Sequence, residues 1–151
     1  MTIAPVVKSV SVKATPERAF QAFTANMTQW WPRDHTIGAS PLKEVVMEPR
    51  VGGRWFERAA DGAETNWGKV LAWNPPRGFV LAWQISANWA YDPDLMTEVE
   101  LTFDGQSDGT TRVTLEHRRL ELFGERAQAM ADQFDGGWVG VIQHFVDYVA
   151  A

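Results

Sequence analysis

Cysteine is missing from all 151 residues, and with it go disulfide bonds, thiolate nucleophiles and every zinc site built on sulfur. Basic residues are scarce: 14 Lys and Arg stand against 19 Asp and Glu, for a net charge of -5. They form no cluster, so the chain lacks the electrostatic footprint of a nucleic-acid binder. No apolar run is long enough to span a membrane, and the start, Met1 to Pro5, has neither the basic residues nor the apolar stretch of a secretory signal. A cytoplasmic location is expected. Phosphate loops, nucleophile elbows and dinucleotide fingerprints are absent. His35, His117 and His144 lie far apart without a ligand-spaced acidic partner, so neither a metal nor a cofactor is expected.

What remains is an ordinary globular composition, 45% apolar and 22% charged, over a length that suits one domain spanning residues 1–151. One number is out of line: the chain carries eight tryptophans. Indoles are bulky, rigid and half polar, so such an excess implies a large aromatic core or an aromatic-lined cavity.

Val6 to Lys13 alternates apolar and polar residues as a half-buried strand does. Thr15-Pro16-Glu17-Arg18 then supplies a capping hydroxyl, a proline suited to the first helical position and an acid near the positive helix end. The helix that starts there presents Phe20, Phe23, Met27 and Trp30 or Trp31, can divide at Asn26, and stops at Pro32. Strands are predicted at Leu42–Glu48, Arg54–Ala59, Asn66–Trp73, Phe79–Ile85, Thr97–Phe103 and Thr111–Arg118, separated by turns such as Asp61-Gly62. From Glu125 to Ala150 the residues Ala127, Met130, Phe134, Trp138, Val141, Phe145 and Val149 recur at helical spacing. Gly136-Gly137 interrupts this pattern and points to a kink or a close approach to the backbone.

The order is strand, short helices, antiparallel meander, long helix. A sheet with one apolar face needs a cover, and the last helix alone is long enough to provide it. The fold class is therefore α+β, a curved antiparallel sheet around a C-terminal helix. Parity puts Phe79, Leu81 and Trp83 on the face towards that helix, with Leu101, Val113, Leu115 and His117. Arg112, Thr114 and Glu116 then face outward, as do Glu98 and Glu100.

The segments Ala14-Thr15-Pro16-Glu17-Arg18-Ala19-Phe20, Trp30-Trp31-Pro32, Glu48-Pro49-Arg50-Val51-Gly52-Gly53-Arg54, Trp73-Asn74-Pro75-Pro76, Gly109 to His117 and Gly137-Trp138 resemble the family of heat-shock-protein ATPase activator homologues. That family sits within the START-like, pollen-allergen-like and polyketide-cyclase superfamily. The resemblance runs through nearly the whole chain. It implies a helix-grip fold with a cavity between the sheet and the last helix. Lipid carriers, hormone receptors, cyclases and co-chaperone domains share that fold, so the resemblance leaves the chemistry open.

His117 is singled out, because an inward imidazole needs a partner, either the surrounding core or a ligand. Trp83, Trp138 and Phe134 either stack on a flat ligand or fill the interior themselves. Trp30 and Trp31 stand where the first helices end, near one mouth of the grip, one expected in the core and the other at the rim, and Trp31 is counted among the ligand-binding residues. Trp89 and Tyr91 lie in the loop Ser86–Met96, which is either a lid or a surface loop. His35 belongs to the mouth or to solvent.

The leading expectation is a binding module for a small apolar or aromatic ligand, contacted by His117 and tryptophans. The alternatives are a cyclase- or hydrolase-type enzyme with His117 as acid or base, and an interaction protein acting on a chaperone ATPase. A second copy of the chain and a chaperone are accordingly the further candidate partners.

Overall fold

The computed structural model describes residues 3–150. Seven strands form one sheet: β1 (Val6–Val12), β2 (Leu42–Met47), β3 (Arg54–Ala59), β4 (Glu64–Asn74), β5 (Gly78–Trp83), β6 (Thr97–Gly105) and β7 (Thr111–Arg118). Their spatial order is β1-β7-β6-β5-β4-β3-β2, antiparallel throughout. Between β1 and β2 lie α1 (Pro16–Phe23) and α2 (Met27–Trp30), and the chain ends in α3 (Ala127–Ala150). The two-helix division at Asn26 and the single long terminal helix follow the sequence pattern. The strand limits differ from the predicted ones by only a few residues.

Local chemistry sets the ends of α1. Thr15 Oγ1 accepts a hydrogen bond from Arg18 N at 3.2 Å, and Pro16 occupies the first turn, where its missing N–H costs nothing. Thr15→Ala is expected to lower stability by about 1 kcal/mol, read as a shifted midpoint in urea denaturation with an unchanged slope.

Two findings depart from the sequence reading. A 3-10 segment, Leu120–Arg126, links β7 to α3 and starts from Arg119 in the left-handed region (φ 63°). Its side chains follow no strand or long-helix period, so the sequence pattern passes over it. The Gly136-Gly137 pair, expected at a kink or a close contact, sits inside an unbroken α3, and a Cβ at either position meets nothing within 4 Å. The glycines face open space instead of a crowded backbone.

The core lies between the concave sheet face and α3. Phe79, Leu81, Trp83, Leu101, Val113 and Leu115 are buried, as are Met130, Phe134, Trp138, Val141 and Phe145 from α3. Arg112 is exposed on the opposite face. There Arg118 binds Glu98 and Glu100 at 3.0 and 2.5 Å and reaches Glu116 at 3.4 Å. Glu98 and Glu100 of β6 thus share a cation.

Candidate functional site

Strand pleat and helix turn bring aromatic side chains to one end of the core. The helical repeat places Phe134, Trp138 and Val141 of α3 over the sheet, while β5 contributes Trp83 and, just beyond it, Ile85. Trp67 arrives by a local irregularity. Trp55 of β3 pairs with Gly68, yet Phe56 pairs with Asn66, so Trp67 is an extra residue on β4. Such a bulge re-aims the side chain it carries. Trp31 closes the end of α2, where the backbone turns extended, and its Nε1 donates to His35 O at 2.9 Å.

These residues enclose a cavity of about 320 Å³, with Trp31, Trp67, Trp83 and Trp138 in the wall beside Phe134, and Trp89 at one side. The rings meet edge to face: Trp31 and Trp138 at 6.3 Å between centroids, Trp83 and Trp138 at 5.7 Å, Trp83 and Phe134 at 5.3 Å. The polar residues of the lining, Asp34, His35, Thr36 and Gln133, gather at the mouth, where Asp34, His35 and Gln133 are exposed. The site is an apolar slot with a polar lip.

His117 is not part of that lining. Its parity is as expected, but its depth is not: it is 0% exposed and lies behind Phe134, whose ring centroid is 4.3 Å away. Trp138 Nε1 donates to His117 Nδ1 at 3.2 Å. An indole nitrogen can only donate, so Nδ1 is the bare nitrogen and Nε2 carries the hydrogen. Nε2 therefore donates to Thr97 Oγ1 at 2.9 Å, and the threonine hydroxyl donates on to Trp83 O at 3.2 Å. Burial pushes the imidazole pKa down to about 3. The histidine is neutral, fully bonded and walled off, so the expected ligand contact and acid or base role are replaced by support of Trp138.

Trp89 and Tyr91 separate. Trp89, in the left-handed region at φ 59°, borders the cavity, with its ring 6.4 Å from Phe134. Tyr91, whose backbone bridges Ile85, is exposed and is not part of the lining. Trp30 and Trp31 are both buried, so the expected core-and-rim division becomes core and wall. His144 is exposed on α3.

Residues 13–150 match the family described as Activator of Hsp90 ATPase homolog 1-like protein. The chain belongs to this family. Among solved structures, the family member resembles an anthrahydroquino-gamma-pyrone synthase, Txn09, with 35% identity over 97% of each chain and a TM-score of 0.67. It also resembles CalC, a self-sacrificing resistance protein from Micromonospora echinospora, with 31% identity over 97% of this chain and 94% of that one and a TM-score of 0.71. The Aha1 dimer from Colwellia psychrerythraea shares the fold at 18% identity and a TM-score of 0.66, with 97% of this chain and 96% of that one covered. No curated protein matches the chain. The curved antiparallel sheet around a C-terminal helix read from the strand and helix pattern, and the helix-grip fold that the resemblance implied, are the fold of these structures.

One organising residue escaped the sequence reading. Glu57 of β3 is 1% exposed, and its Oε1 accepts from both Ile37 N at 2.7 Å and Trp67 Nε1 at 2.8 Å. Ile37 and Trp67 both line the cavity, so one carboxylate ties the lip to the wall. Parity carried the signal, since Trp55, Glu57 and Ala59 alternate on one face and Trp55 is too large to leave outside. Asp34 gave no such signal, because the loop that carries it has no period.

Proposed function

We propose that this member of the family binds one flat aromatic small molecule in the cavity, its apolar body among the indoles and its polar edge at Asp34, His35 and Gln133. The observation that carries this reading is the open space of about 320 Å³ inside a wall of four buried tryptophans. That size falls at the lower end of small-molecule sites, roughly 300–1,000 Å³. The Txn09 likeness supports the ligand class, since that synthase is named for a fused-ring, oxygen-bearing compound.

Gly137 supplies a clean test. It borders the cavity, and a Cβ placed there meets nothing within 4 Å. Gly137→Leu is expected to fill the slot and abolish saturable quenching of tryptophan emission by 2-hydroxymethylanthraquinone. It also trades a helix-interior glycine for a good helix former, a gain of about 0.8 kcal/mol, so the melting temperature is expected to hold or rise. Unchanged quenching in this variant, or no saturable quenching in the unaltered protein, overturns the reading.

A second reading is catalysis on the same ligand. Its favouring observation is the adjacent carboxylate and imidazole, Asp34 and His35, on the lip. They are the titratable groups of the lining, and His117 is closed off from it.

A further inference from the structure

Of the indoles around the cavity, Trp31, Trp67, Trp83 and Trp138 are buried, whereas Trp89 is 44% exposed. It stands at the mouth, where the other exposed residues of the lining, Asp34, His35, Gln133 and Gly137, are polar or lack a side chain. An indole in that place keeps a large apolar surface in water. Its backbone is equally out of place. Ser86 N donates to Ala90 O at 2.8 Å and Trp89 N to Ser86 O at 2.9 Å, so Ala87, Asn88 and Trp89 form a three-residue hairpin loop. Below it Ile85 bridges Tyr91, and Asp92 N donates to Gln84 O at 2.8 Å, which fixes the base of the loop. The last residue of such a loop takes the left-handed conformation and is ordinarily glycine. Here the φ is 59° and the residue is tryptophan, a conformation that is costly for a bulky side chain. Packing returns little for this: among the described residues its one aromatic neighbour is Phe134, met edge to face at 6.4 Å.

We propose that Trp89 is a clamp at the mouth, stacking on the outer ring of a ligand whose inner rings lie among the buried indoles, so that the site takes flat fused-ring molecules long enough to leave one ring there. This rests on the ligand-binding reading and adds to it the recognition of the ligand's outer end. Two local costs, an exposed indole and a left-handed backbone, meet at one residue of the lining, and strain of this kind gathers at ligand clamps. A stacked ring covers the exposed indole and removes its apolar surface from water. The bonded hairpin holds the residue in place beforehand, so binding does not have to order a loose lid. A single ring is held by the inner wall alone and gains nothing from Trp89.

Calorimetric titration with 2-hydroxymethylanthraquinone reads the clamp. Trp89→Gly removes the ring and suits the left-handed backbone, so the melting temperature is expected to hold while the affinity falls about tenfold, the worth of one stacked aromatic pair. Trp89→Phe keeps a ring and is expected to keep most of the affinity. In the unaltered protein the ring-proton resonances of Trp89, assigned by their absence from the Trp89→Gly spectrum, are expected to move upfield as the quinone is added. An unchanged affinity in Trp89→Gly, an equal loss in Trp89→Phe, or unmoved Trp89 resonances overturn the clamp and leave binding in the slot intact; no saturable binding by the unaltered protein overturns both. A lower melting temperature with unchanged affinity assigns Trp89 to packing on Phe134 instead.

Discussion

His117→Ala is expected to remove about 3–5 kcal/mol of stability, a large share of the roughly 5–15 kcal/mol that holds a typical domain together. Truncation leaves a void beneath Phe134 and strips partners from two enclosed groups, Trp138 Nε1 and Thr97 Oγ1. The orphaned Trp138 N–H adds its own desolvation cost, while Thr97 Oγ1 keeps its bond to Trp83 O. His117→Gln is expected to recover part of the loss, since an amide can accept from Trp138 and donate to Thr97. Chemical denaturation at neutral pH reads both variants, and a loss below about 1 kcal/mol for His117→Ala contradicts the buried relay.

The same imidazole sets an acid limit. In the unfolded chain it takes a proton below about 6.5, the ordinary histidine value, whereas in the folded protein burial delays this to about 3. Between those values the unfolded state binds more protons, so stability is complete above the upper limit and falls as the pH drops through the window. The slope from this group is about 1.4 kcal/mol per pH unit. Subtracting the pH profile of His117→Gln from that of the unaltered protein removes every shared carboxylate. The remaining difference is expected to show that slope between about pH 6 and pH 4.

Gly68→Ala is expected to cost about 3 kcal/mol or more, although it adds one methyl group. A Cβ on Gly68 falls 1.7 Å from the carbonyl oxygen of Ala82, within the backbone of the neighbouring strand. No rotamer relieves such a clash, so β4 and β5 must part or the bulge at Trp67 must be lost. Gly136→Ala makes the opposite comparison. Its Cβ meets nothing in α3, and alanine there is expected to stabilise by about 0.5–1 kcal/mol. Denaturation midpoints of the two variants are expected to move in opposite directions, and a shift in the same direction for both rejects this account of the strand contact.

The contrast between these glycines shows where sequence reasoning stops. Strand pleat and helix turn are periodic, so the sheet, its parity and the face of α3 could be read from spacing alone. A bulge breaks the period. Nothing in the order Asn66-Trp67-Gly68 says that Trp67 is the extra residue, and Trp67 accordingly went unnoticed as a wall residue while Trp83 and Trp138 did not. His117 illustrates a second limit: parity assigns a face, not a depth, and whether an inward side chain reaches the cavity depends on what stands in front of it. Phe134 stands there. The lip at Asp34 and His35 shows a third, because an aperiodic loop is positioned by its bonds to distant residues, in this case Ile37 to Glu57 and Trp31 to His35.

The pairing of β1 with β7 has a consequence for how the chain reaches its fold. Ser9 lies opposite Thr114, 105 positions further along, and Ala14 O receives the hydroxyl of Thr111, 97 positions away. Every other strand pair joins neighbours in sequence. During synthesis the hairpins from β2 to β7 can close as they emerge, whereas the first strand made has no partner until the seventh has left the ribosome. Closing so large a loop early is entropically expensive, which makes the docking of β1 a late event and leaves the outer edge of β7 open until then. That waiting interval, more than the finished structure, is when the nascent chain is most open to pairing with the wrong strand.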